Sequence, residues 1–167
     1  MENILYEIPT KFEFDYFDFG FQLILLAFLL TVFIKCKNKE YKDTPYEVIK
    51  VISGICLCFL VVYNVIDIAS SLDMHKKIAE EYEKGNYEII DGVVENFVPM
   101  PYEGKSKESF EINGVKFSYS DSIEICGYNN AKSHGGVIEG NGQHLKIGYI
   151  YYDSSYGNII VYIEQLE

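Results

Sequence analysis

The sequence has no arginine: all 14 of its basic residues are lysines, set against 25 acidic residues, for a net charge of −11. Neutralising phosphates takes a basic face, and arginine is the preferred reader of bases, so nucleic acid is not expected among the partners. Cysteine is sparse, four residues with no CxxC spacing, which argues against a zinc framework or a disulfide scaffold. Charge is scarce as well, 23% of residues against 49% hydrophobic, and the mean hydropathy of +0.01 is high for a soluble domain of this size. The first apolar run has acidic rather than basic flanks on its N-terminal side, unlike a secretory signal.

What the chain does have is two uncharged runs. Residues 19–34 read FGFQLILLAFLLTVFI and residues 51–66 read VISGICLCFLVVYNVI, 16 residues each. At about 1.5 Å per residue each spans about 24 Å, short of a hydrocarbon core of about 30 Å. Snorkelling by Lys35 and Lys50, and extension of the second run by Val48, Ile49, Ile68 and Ala69, make up the difference. Helices apolar on every side belong in lipid rather than against a core. The expectation is a membrane α-helical hairpin with spans at about 19–35 and 48–69 and a connector at 36–47. The Thr44-Pro45 pair signals the second helix start.

Lysines orient the hairpin. The 35–50 stretch carries five (Lys35, Lys37, Lys39, Lys42, Lys50), the segment before the first run one, and the 67–86 stretch three. The positive-inside tendency places the connector in the cytoplasm and both termini outside a bacterial plasma membrane. Residues 1–18, rich in carboxylates and in aromatics such as Tyr6, Phe12, Phe14 and Tyr16, suit an interfacial segment at headgroup level, with a solvated tail as the alternative. Residues 70–86 read as a helical stalk ending at Gly85, where a left-handed cap fits.

From residue 87 onward the pattern is all β. YEIIDGVVENFVP is a strand with a bulge expected at Gly92. ESFEI and VKFSYS flank Asn113-Gly114, the signature of a two-residue type I′ hairpin. QHLKIGYIYY and NIIVYIEQL are joined by DSSYG. These five strands predict a small OB-like barrel or a curled antiparallel sheet over 87–167. That segment holds 12 acidic and five basic residues, a balance of −7. The string DGVVENFVPMPYEGKSKESFEINGVKFSYSD…GYNNAKSHGGVIEGNGQHLKIGY resembles a tail module of small bacterial membrane proteins. Its strand order and G-x-V opening strand are similar to the OB-like barrel that NfeD-type proteins carry behind their spans. The resemblance covers about half the chain and implies a fold, with no reaction to carry over. The Gly- and Asn-rich stretch between the third and fourth strands departs from an OB module.

Chemistry-bearing residues are few. Ser133 and His134 are adjacent, with Glu139 near, but without a nucleophile-elbow pattern they read as a polar loop. His134, His144 and Cys126, with Asp121 or Glu124, are the one arrangement that would suit a metal, and no short ligand pair anchors it. No catalytic residue, metal ligand or cofactor is assigned. Cys36, Cys56 and Cys58 read as apolar packing residues at or within the membrane. Gly54 with Ser53 offers a close-packing spot for a second helix. The loops at 99–109 and 126–142 instead carry Tyr102, Tyr128, Asn129, Asn130, Ser133 and His134, types that recognition loops use. The expected function is therefore a non-enzymatic membrane accessory or binding protein, with membrane lipid around the hairpin. Its β domain would recognise another protein, or a second copy, outside the membrane; an immunity-type protein is one version. A ligand-sensing membrane effector is the alternative, and a metal-dependent hydrolase the second.

Overall fold

The computed structural model describes residues 3–9, 16–38, 44–104, 106–121 and 126–167. Phe12, Phe14, Lys39, Lys42 and Glu124 lie outside them, as does the side chain of Cys36. The chain divides into two compact units, 13–72 and the combination of 1–12 with 73–167.

The first unit is helical. Helix α1 runs Tyr16–Asn38 and helix α2 Thr44–Glu83, 23 and 40 residues. Pro45 falls at the first turn of α2, where its missing N–H is not needed. Alpha2 is long and apolar enough to cross a membrane, with a mean hydropathy of 2.3 and 6% burial over its most apolar window; α1 contributes the shorter apolar stretch Gln22–Lys35. Where the two helices meet, a Cβ on Gly54 would lie 3.3 Å from Phe33 Cε2, so the small residue is used to pack α1.

The second unit holds seven strands where the sequence predicted five: β1 Asn3–Glu7, β2 Glu88–Val93, β3 Glu95–Val98, β4 Glu108–Ile112, β5 Val115–Tyr119, β6 His144–Tyr151 and β7 Asn158–Gln165. They form two antiparallel sheets, β1-β7-β6-β2 and β3-β4-β5. The expected first strand is two, because the chain leaves the β6 ladder after Val93 and pairs with β4 from Glu95, with Asn96 at a φ of 51° inside β3 where the register with β4 shifts. The expected bulge at Gly92 is absent: Gly92 pairs in regular register with Leu145. Glycine is needed there for space, since a Cβ would stand 2.8 Å from Asn113 Nδ2 and 2.9 Å from Ile112 Cγ2. The hairpin at Asn113-Gly114 has positive φ at both residues, 48° and 82°, as a type I′ turn demands.

The reading of the N-terminal segment needs correction. Residues 3–7 of the expected interfacial segment form an edge strand antiparallel to β7, and Ile8 is buried behind it. An alternating NILYE segment beside the edge of β7 gains ladder hydrogen bonds and apolar burial together. The expected 70–86 helix is present as the continuation of α2, and Met74, Ile78 and Ala79 on one side of it are buried. Ile78 packs with Ile8, Ile159 and Val161 in one apolar cluster. The helix closes in a Schellman cap, Gly85 N–H to Tyr82 O at 3.0 Å and Asn86 N–H to Glu81 O at 2.8 Å. On the other side of the β1-β7-β6-β2 sheet, Phe110, Phe117, Leu145, Ile147 and Ile163 make the main core between the sheets.

Candidate functional site

Two irregular segments flank the β4–β5 hairpin, one between β3 and β4 and one between β5 and β6. Each would need its own means of holding a conformation, and a single carboxylate supplies much of it. Glu108 opens β4 in phase with Phe110 and Ile112, so its side chain turns inward and is fully buried, 0% exposed. No lysine or histidine pairs with it among the described residues. Its oxygens are met instead by neutral donors: the Met100 N–H donates at 3.3 Å, the Tyr119 hydroxyl at 2.7 Å, and the Lys132 N–H to both oxygens at 3.2 Å. Met100 belongs to the first loop and Lys132 to the second, so both are tied to one point. Tyr119 stays protonated, its phenol pushed up by burial first and by its bond to Glu108 second.

The second loop is then stitched internally. A 3-10 turn spans Lys132–His134, with Gly135 in the left-handed conformation behind it. Gln143 donates to Val137 O at 3.0 Å and accepts from Glu139 N–H at 2.7 Å. Asn141 Oδ1 accepts from the Phe97 N–H at 2.9 Å. Gly136 passes so near the loop backbone that a Cβ would collide with Asn130 O and stand 2.8 Å from Ala131 C.

His134 joins the loops on the outside. Its Nδ1 meets Asp121 Oδ2 at the end of β5, and its Nε2 lies 3.1 Å from Tyr102 O. Both partners are acceptors; a neutral ring donates to one of them and an imidazolium to both. The Tyr102 ring lies 4.8 Å from the His134 ring, tilted by 57°, and is 73% exposed.

The predicted recognition residues therefore separate. Tyr102, His134 and Asn130 are exposed, and Asn129 is half-buried. Tyr128 is a core residue, 5% exposed, edge-on to Tyr6 and Tyr119 at 5.2 Å each, with its hydroxyl accepting the Val137 N–H at 2.7 Å. Burial pushes its phenol up to about 12. Ser133 Oγ is shut from solvent without a hydrogen-bond partner among the described residues, so it is not presented to a substrate. Among the described residues no three His, Cys, Asp or Glu side chains stand together as a metal requires, so His134, His144 and Cys126 are not assembled into a site. Cys126 packs against the apolar cluster under α2, and burial pushes its thiol up to about 12. Sequence reasoning missed Glu108, although a carboxylate in phase with Phe110 and Ile112 on an alternating strand was the available signal.

No family model matches the chain, and no curated protein or solved structure matches it either.

Proposed function

We propose that this chain is a two-span membrane protein whose β unit binds a partner protein through the surface formed by the two Glu108-tethered loops, with Tyr102 and His134 at its centre. The observation that carries this reading is the joint anchoring of both loops on one buried carboxylate while an aromatic pair is left outside. Loops that are already ordered lose little conformational freedom on binding, and Tyr supplies large contact area at low entropy cost. The −7 balance of residues 87–167 favours a basic or neutral partner surface.

The two-span hairpin draws its support from β1. Strand β1 is hydrogen-bonded to β7, so the segments before α1 and after α2 share one aqueous side. A chain that crosses through α2 must then cross an even number of times. Alpha1, 23 residues long with the apolar stretch Gln22–Lys35, serves as the second crossing once Lys35 snorkels to the interface. The lysines of the 35–50 stretch favour the connector on the cytoplasmic side, with the β unit outside a bacterial plasma membrane. An OB-like closure belongs to the same reading: β2 and β3 follow one another across a single residue and serve different sheets, and Asn158 Nδ2 of β7 reaches Lys116 O of β5 at 2.9 Å.

The test is crosslinking in membranes, followed by quantitative recovery of partners from the wild type, Tyr102→Ala, His134→Ala and Tyr128→Phe. Recovery is expected to fall by about tenfold for the first two, the range of an interface hot spot, and to hold for the third. Equal recovery across all four proteins rejects the loop surface.

A further inference from the structure

We propose that the helix pair holds an anionic phospholipid, one acyl chain lying in a groove between α1 and α2 and the phosphate on Lys50 and Lys35; the proposal rests on the two-span reading above. The groove is a shallow, open one of about 510 Å³, lined by Phe33 of α1 and by Lys50, Val51, Gly54, Cys58 and Phe59 of α2 among others. That volume is ligand-sized. Apart from Lys50 the side chains lining it are apolar, and the Phe33 ring packed onto Gly54 forms one wall.

Charge selects the occupant. Because Phe33 meets Gly54, Lys35 lies two residues beyond one contact and Lys50 about one turn before the other, at the same end of the pair. Asp18 and Asp67 bound the runs at the opposite end. The Lys50 ammonium donates to Glu47 at 2.8 Å, and with its side chain 34% exposed it keeps donors for a phosphate. Basic pockets between helices at a cytoplasmic interface recruit acidic headgroups in this way. A second copy of the chain in the same groove would instead bring further lysines to an end already rich in them, which like-charge repulsion opposes.

Native mass spectrometry of the full-length protein, released from mixed micelles of phosphatidylglycerol and phosphatidylcholine at equal amounts, reads the preference directly. Phosphatidylglycerol should be retained over phosphatidylcholine by about tenfold, a preference that drops to near parity in the Lys35→Gln/Lys50→Gln double variant. Gly54→Leu, which displaces the Phe33 wall, should lose both lipids. Equal retention of the two lipids by the wild type overturns the proposal, as does an unchanged preference in the double variant or a dimer carrying no lipid. Alkaline carbonate extraction of the same membranes separates the two readings. Release into the soluble fraction rejects the spans, whereas firm retention without lipid preference rejects the lipid site alone.

Discussion

Glu108 occupies an inward position of β4 where an apolar residue is the rule and a carboxylate loses its hydration. Its three donors offset that cost, and the consequence is that its loss strands all of them. Glu108→Ala should lower stability by about 3–5 kcal/mol, because two backbone N–H groups and a phenol are left buried without an acceptor. Glu108→Gln should recover part of this, since the amide oxygen accepts from one side while its NH2 faces donors. Chemical denaturation followed by tyrosine fluorescence measures both, and a loss below about 1 kcal/mol for the alanine variant would show that the loops are held otherwise. Cys126 gives a second check on packing. With its thiol pushed up to about 12, it should react with a maleimide far more slowly at pH 8 than after denaturation. The assay uses a chain in which Cys36, Cys56 and Cys58 are replaced by serine. Labelling at equal rates in the two states would place the thiol at the surface.

Helix α2 has two different environments along one continuous length. Around Ile55 and Phe59 its apolar side chains are exposed, Phe59 by 78%, while Ile78 near its other end is 1% exposed. The same residue type therefore does different things at two positions. Ile78→Ala removes a methyl-rich side chain from the cluster with Ile8, Ile159 and Val161, and should cost the β unit about 2–5 kcal/mol. Ile55→Ala should leave that unit's unfolding midpoint unmoved, since it lies in the other compact unit. Urea titrations of the two variants, followed by loss of β-sheet circular dichroism, read the difference. Strand β1 explains why the N-terminal segment cannot be treated as a loose tail: its pairing with β7 and the Tyr82 hydroxyl bond to Glu7 Oε1 at 2.7 Å join the start of the chain to the end of α2.

For the β unit taken together, the titrating groups set a window of stability. Burial pushes the Cys126 thiol and the Tyr128 phenol up to about 12, and the hydrogen bond to Glu88 does most of the same for Tyr149. These acids hold their protons more tightly when folded, so their contribution is whole below their ordinary 9.0 and 10.0 and is lost as pH rises toward about 12. At the other end, Asn96 and Lys116 hold the Glu111 carboxyl below its ordinary value, and Lys146 and Tyr162 do so for Glu164. Their contribution is present above 4.5 and is lost as pH falls further. Unfolding free energy measured against pH should be flat from about 5 to 9 and decline on both sides, more steeply on the alkaline side, where the buried groups titrate. A midpoint that keeps rising from pH 9 to 11 would contradict the burial of these phenols.

Local rules were enough for the features that depend on neighbours in sequence. Two uncharged runs made the helices legible, Asn113-Gly114 fixed a hairpin because both positions take positive φ, and Gly85 ended α2 in the cap that its lack of a side chain permits. What the chain could not announce was pairing across long separations. Strand β1 is legible only beside β7, some 160 residues away, because a five-residue alternating segment fits an edge strand and an interfacial tail equally well. Tyr128 looked like a loop residue because composition reports polarity and flexibility, whereas burial is decided by which rings, here Tyr6 and Tyr119, the tertiary fold brings against it. Glu108 followed the alternation of its strand, but the donors that make a buried carboxylate tolerable come from Met100 and Lys132, and only the folded chain sets those two loops around it.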